Sequence, residues 1–298
     1  MSDSINNLPI GIFDSGVGGL TVYRALHDRL PNEHFVYLGD TARVPYGTKS
    51  LATVERYAIE NSQFLASRGI KMLVVACNTA SALALPKIRE KIGLDVVGVI
   101  GPGGRKAIAV VSGQWSVVSG RPPRIGVIAT EATVASNAYL EAIRRASDTA
   151  EILQAGCPLF VPLAEEGWTH EDETYSIAAK YLAEMRDFAP DALVLGCTHY
   201  PILREVIQQT VGADVKLVDS GEATAGEVAT LLDEKSLANP NAVSGQRQLC
   251  DDLDHFYVTD AADRFARVAE RFLGTPPSKL EAIEVYGIDE LGKELARE

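Results

Sequence analysis

Short apolar runs rich in β-branched residues recur along the chain. Ile10 to Phe13, Phe35 to Leu38, Met72 to Ala76, Val96 to Ile100, Ile125 to Ala129, Ala192 to Leu195 and Val215 to Val218 read as strands. Longer amphipathic stretches lie between them, and Ser50 to Arg68, Tyr175 to Phe188 and Thr224 to Leu232 read as helices. The strand runs are nearly continuously apolar rather than alternating. Such strands are buried on both faces, which predicts an α/β fold with parallel sheets covered by helices. In sheets of that kind ligands bind beyond the carboxyl ends of the strands, so function is to be sought in the loops that follow them.

A weak internal repeat refines this picture. Ile10-Gly11-Ile12-Phe13-Asp14-Ser15 resembles Ile125-Gly126-Val127-Ile128-Ala129-Thr130, and Val74-Val75-Ala76-Cys77-Asn78-Thr79 resembles Val194-Leu195-Gly196-Cys197-Thr198-His199. The two matches come in the same order at nearly the same separation, which favours two α/β units of similar design. The Pro/Gly-rich piece Gly101 to Gly104 and the turn at Asp219 to Gly221 are candidate boundaries. Ser112 to Arg124 reads as a loop early in the second unit.

Composition narrows the function classes. The chain has 298 residues, 46% hydrophobic, which excludes a disordered chain and allows two domains with cores of their own. A formal net charge of −12 argues against a nucleic-acid or anionic-membrane binder. Met1 to Leu8 lacks the basic and apolar regions of a signal peptide, and no apolar run is long enough to span a membrane. Four cysteines, none in CxxC spacing, form no disulfide framework; a reducing, cytoplasmic setting is the expectation.

Two of those cysteines have a setting suited to chemistry. Cys77, in Ala76-Cys77-Asn78-Thr79-Ala80-Ser81, ends a strand where a helix begins, and N–H groups at a helix start stabilise a thiolate. The alternative is a buried cysteine with Asn78 and Thr79 as caps. Cys197 has the same setting in Gly196-Cys197-Thr198-His199-Tyr200-Pro201, with His199 placed to hold a thiolate or relay a proton. Two cysteines at equivalent places in two similar units can face each other across one cleft. Facing thiols suit removal of a proton from one face of a carbon and delivery of a proton to the other, which inverts a stereocentre. A metal site is a weaker rival, since only Cys77 offers an obvious third ligand beside Cys197 and His199. A Cys–His hydrolase is another, and it would need only one cysteine. The Gly-rich loop Asp14-Ser15-Gly16-Val17-Gly18-Gly19 follows a strand and suits a carboxylate or phosphate, although it is neither GxGxxG nor a Walker loop. Asp14 reads equally as an ammonium ligand or a helix cap. Asp40 to Ser50, through Pro45-Tyr46-Gly47, is a second loop of this kind.

Taken together, these residues resemble the glutamate racemases of the aspartate/glutamate racemase superfamily. The resemblance rests on Phe13 to Leu20, Asp40 to Ser50, Cys77 to Ser81, Cys157 to Leu163 with Glu165 and Glu166, and Gly196 to Pro201, and Phe256 to Thr259 is similar too. It implies cofactor-independent interconversion of L- and D-glutamate, which supplies D-glutamate for peptidoglycan. Cys77 matches the base for D-glutamate and Cys197 the base for L-glutamate. Asp14 and His199 match supporting acid/base groups. Asp40 and Glu165 match further acids of the pocket, with less defined roles. Ser15, Pro45, Tyr46, Gly47, Asn78, Thr79 and Thr198 match positions that hold the substrate, while Cys157 and Cys250 read as packing. The resemblance also implies a first domain of residues 1–101 plus 218–298, a second of 102–217, an active-site cleft between them, no metal, and a homodimer. Aspartate racemase is the nearest alternative activity, a catalytically idle amino-acid binder the alternative class. Some relatives bind DNA gyrase, a point the sequence leaves open.

Overall fold

The computed structural model describes residues 5–112, 121–241 and 247–285. Among the described residues, ten strands form two sheets: β1 Ile10–Asp14, β2 Phe35–Gly39, β3 Met72–Val75, β4 Asp95–Gly98, β5 Arg124–Ala129, β6 Glu151–Gly156, β7 Ala192–Gly196, β8 Lys216–Asp219, β9 His255–Val258 and β10 Leu280–Ala282. The first sheet runs β10-β9-β2-β1-β3-β4 and the second β6-β5-β7-β8. Every pairing is parallel. The expected α/β class with parallel sheets is therefore what the chain adopts.

The strand orders explain the internal repeat. Read from β2, the first sheet is β2-β1-β3-β4, and the second, β6-β5-β7-β8, has the same order. β1 and β3 thus correspond to β5 and β7, the strands that carry the repeated segments. Register agrees, since Ile10 pairs with Met72 as Ile125 pairs with Ala192. β9 and β10 extend the first sheet beyond β2, so the last part of the chain returns to the half where it began.

Side-chain alternation divides the core. Ile10 and Ile12 of β1 point into a large apolar cluster that continues through Ile125, Val127, Val194 and Leu195 of the second sheet. Phe13, Leu73 and Val75 point the other way, into a smaller cluster with Val54, Ala58 and Leu65 of helix Leu51–Ser67. Ser50 caps that helix by accepting a bond from the Thr53 N–H. Helices Leu20–Arg29, Ile100–Ser112 and Ser220–Glu234 pack together and join the two halves.

Several expectations are corrected. Gly101 to Gly104, the candidate boundary, forms the first part of helix Ile100–Ser112. Gly103 and Gly104 are buried, and a Cβ on Gly104 would lie 2.9 Å from the Ala142 Cβ. Close helix packing, not a flexible joint, accounts for glycine there. Asp219 to Gly221 is likewise no free turn: Asp219 ends β8 and its carboxylate accepts N–H bonds from Gly221 and Glu222, starting the next helix. Tyr175 to Phe188 is two helices, Asp172–Tyr181 and Ala183–Phe188. Strands β6, β9 and β10 were not foreseen; β6 and β10 carry exposed positions and lie at sheet edges, where the apolar signal is weak, whereas β9 is a buried interior strand too short to stand out. The loop expected within Ser112 to Arg124 falls mostly outside the described residues. Among the described residues, no helix is long and apolar enough to cross a membrane.

Candidate active site

The carboxyl ends of β1, β2, β3, β5 and β7 converge on one cleft. Ser15, Gly16, Pro45, Tyr46, Gly47, Cys77, Asn78 and Thr79 line it from the first half, and Thr130, Glu165, Cys197, Thr198 and His199 from the second. The cleft, mouth included, encloses about 510 Å³. Both sulfurs reach it from nearly buried residues, Cys77 being 5% and Cys197 6% exposed.

Glycine lets the walls approach. A Cβ on Gly18 would stand 2.5 Å from His199 Nδ1 and closer still to Thr198 Oγ1, so only a hydrogen fits there. The hydroxyl of Thr21 donates to the Thr198 carbonyl at 2.8 Å, tying the same two segments together. At the other end of the cleft a Cβ on Gly47 would lie 3.2 Å from Thr130 Cβ.

The first wall is built on burial. Cys77 caps helix Asn78–Leu83, its sulfur accepting the Ala80 N–H at 3.5 Å and donating to Ser15 Oγ at 3.4 Å. Burial, reinforced by the charge of Asp14, pushes its thiol up to about 12, against the pull of those two bonds. Asp14 sits just behind the lining. One carboxylate oxygen accepts the Gly16 N–H at 2.8 Å, and the other has no hydrogen-bond partner. Burial holds this carboxyl above its usual range, although His199 and the N–H groups around it pull the other way. Tyr139 reaches across from the second half to donate to Asn78 Oδ1 at 2.7 Å, and leaves the Asn78 amide nitrogen unpaired. That nitrogen is a free donor at the cleft, suited to a carboxylate.

The second wall is built on charge. His199 Nδ1 lies 3.8 Å from Cys197 Sγ, and Nε2 lies 3.1 Å from Glu165 Oε1. Burial opposes a charge on the imidazole, but the bonds with Cys197 and Glu165 outweigh it and raise its pKa to about 10. That shift favours the imidazolium form of His199 at neutral pH. Glu165, half-buried, is held below its usual range because His199 and Arg264 overcome the effect of burial.

Asp40 is placed differently from the other expected site residues. It is fully buried behind the Pro45-Tyr46-Gly47 loop, and Arg43 Nε donates to both of its oxygens. Tyr46, Asn61 and Thr259 also donate to it. Its lone pairs are taken up in holding the loop, so Asp40 acts as scaffold rather than as an acid facing the cleft. Among the described residues, no three His, Cys, Asp or Glu side chains gather to hold a metal ion.

Two sulfurs face one small cleft from equivalent places in two similar halves. The profile of the Asp/Glu/hydantoin racemase family matches residues 10–228. The chain belongs to that family. Its curated relatives include the glutamate racemase of Geobacter metallireducens, 51% identical over 89% of this chain and 92% of that one. Among solved structures, the glutamate racemase of Francisella tularensis in complex with D-glutamate superposes with a TM-score of 0.82 at 38% identity, covering 94% of this chain and 98% of that one. The glutamate racemase isoform RacE1 of Bacillus anthracis gives 0.85 at 34% identity over the same shares.

Within this racemase fold, sequence reading passed over Thr130. It lines the cleft, and its hydroxyl bonds Thr79 Oγ1 of the opposite wall at 3.0 Å. The repeat held the clue, because Thr130 is the counterpart of Ser15. Val44, Val161 and Arg264 were also missed; each is an ordinary residue until the fold sets it beside the cleft or beside Glu165.

Proposed function

We propose that this chain interconverts L- and D-glutamate without a cofactor, by a two-base mechanism. The observation that carries the reading is the pair of sulfurs on opposite walls of one cleft, one beside an imidazolium and one held as a neutral thiol. The relatives named glutamate racemase, and the neighbour in complex with D-glutamate, support glutamate as substrate.

From L-glutamate, the Cys197 thiolate takes the α-proton, with His199 as the adjacent positive charge. The Cys77 thiol then delivers its proton to the opposite face of the α-carbon, giving D-glutamate. Cys77 is left as thiolate and Cys197 as thiol, and the reverse reaction begins from that state. No atom is gained or lost. The α-proton is weakly acidic, so the developing negative charge on the substrate needs fixed donors in a site shielded from water. Free donors such as the Asn78 amide, with the hydroxyls of Ser15, Thr79 and Thr198, supply them. Asp14 and His199 act as supporting acid/base groups for the first and second sulfur. Pro45, Tyr46 and Gly47 shape the end of the cleft that closes on Thr130.

The same proposal divides the chain into a domain of residues 1–101 plus 218–298 and one of 102–217, with the cleft between them. It places the enzyme in the cytoplasm, as a homodimer that sedimentation would detect. The deciding experiment incubates each enantiomer of glutamate in deuterated water with no added cofactor. Circular dichroism should show decay to a racemic mixture, and mass spectrometry should show deuterium at the α-carbon. No exchange from either enantiomer would remove the reading. Aspartate should turn over poorly; equal rates would point to an aspartate racemase.

A further inference from the structure

The helix after β9, Ala262–Leu273, belongs by its chain position to the segment that returns to the first half, yet it grips the charged pair of the second wall. Arg264 donates to Glu165 Oε2 at 3.2 Å, on the carboxylate whose other oxygen meets His199. Arg271 donates to the Glu165 main-chain carbonyl at 2.6 Å, at the C-terminal end of helix Phe160–Glu166. Seven residues separate the two arginines, so they share one helix face. Gly167 follows, and a Cβ there would rest 3.6 Å from Arg271 Cδ. Phe272 of the same helix meets the His199 ring edge-on, with centroids 5.9 Å apart. The pair is therefore touched at three points by one element of the other half.

We infer that helix Ala262–Leu273 is a clamp and that Arg264 is a positioning residue, fixing the Glu165 carboxylate so that it orients His199 against Cys197. Arg264 is not among the residues lining the cleft of the two sulfurs; it acts through Glu165. Its side chain is 61% exposed, so the pair is too solvated to matter much for stability, and a role in alignment explains its placement better. Because the clamp spans the halves, alignment of His199 is complete only when they are closed together. This inference rests on the racemase reading.

The test compares Arg264→Gln, Arg264→Lys, Glu165→Gln and the double variant Arg264→Gln/Glu165→Gln. Arg264→Gln should lower kcat/KM about 5-fold, equally in both directions, because the equilibrium constant of a racemisation fixes their ratio. Arg264→Lys should recover most of that loss. In the Glu165→Gln background, Arg264→Gln should cost nothing further, since the partner it aligns is gone. Wild-type activity in Arg264→Gln, or an undiminished loss in the double variant, would overturn the inference.

Nuclear magnetic resonance of His199 gives a readout independent of turnover. Glu165 faces His199 and Arg264, with Arg271 at its backbone; His199 faces Cys197, Glu165 and Asp14. If Arg264 acts only as a nearby positive charge, its removal raises the His199 titration midpoint. If it positions Glu165, its removal loosens the pair and lowers that midpoint. A midpoint that rises or stays put refutes the clamp. Failure of the wild-type protein on glutamate would sink the racemase reading instead, and the titration would still report on the clamp.

Discussion

Cys77 and Cys197 follow equivalent strands in two copies of one strand order, yet their surroundings differ in sign. Around Cys77, burial and the carboxyl of Asp14 favour a thiol that keeps its proton, and they outweigh the opposing bonds with the Ser15 hydroxyl and the Ala80 N–H. Around Cys197 stands an imidazolium backed by Glu165 and Arg264. The repeat makes the contrast sharp. Ala129 takes the place of Asp14 in the second half, and Thr79 takes the place of His199 in the first. A duplicated scaffold thus supplies the geometry of two facing sulfurs, and substitutions at two repeat positions supply the polarity between them. The proposed two-base mechanism needs such a difference, with one wall giving a proton and the other taking one.

The hardest test of this contrast removes each sulfur in turn. Cys77→Ser and Cys197→Ser should each lose about 10³-fold or more in racemisation, within or beyond the range of general acid–base effects, while circular dichroism shows the fold intact. Full activity in either variant would end the two-sulfur account. Next come the supporting groups. His199→Gln and Asp14→Asn should each cost about 10²-fold in kcat/KM. α-Deuterated L-glutamate should show the altered isotope effect in His199→Gln, and α-deuterated D-glutamate in Asp14→Asn. The same change in both variants would mean that the walls are not specialised.

Gly18→Ala probes how closely the walls meet. Its Cβ would strike Thr198 and His199, so kcat/KM should fall about 10-fold and thermal unfolding should report a destabilisation of about 1–3 kcal/mol. A variant with wild-type kinetics would show that the cleft tolerates a looser fit. A further effect is on stability against pH. His199 titrates near 10 in the fold against an ordinary 6.5, so the folded state binds the extra proton between those values. Its stabilisation is complete below pH 6.5 and is lost as pH rises through about 10. The gap in unfolding free energy between wild type and His199→Gln should therefore narrow from pH 6.5 to 10. A constant gap would show that the pair adds no net stabilisation.

Much of this was legible along the chain. Buried parallel strands are continuous apolar runs, and β1, β3, β5 and β7 stand out because both faces are covered. Edge strands β6 and β10 left no such mark, since none of their positions is fully buried. Gly101 to Gly104 misled, because local propensity reads Pro and Gly as a break, whereas tertiary packing on Ala142 needs the missing side chains. Asp40 was ambiguous for a related reason: an acidic residue after a strand looks the same whether it faces a ligand or anchors a loop. Only its buried partners Arg43, Tyr46, Asn61 and Thr259 distinguish the two.

The sequence by itself determined the class of fold, the doubling of its design and the two cysteines at matching strand ends. Those features are local: apolar period, strand-end chemistry and repeated order are written in neighbouring residues. What the tertiary structure decided is the charge around each sulfur. Glu165 lies 34 residues from His199, and Arg264 lies 99 from Glu165. Electrostatic interactions depend on distance through space and on exclusion of water, and neither exists until the two halves close on each other.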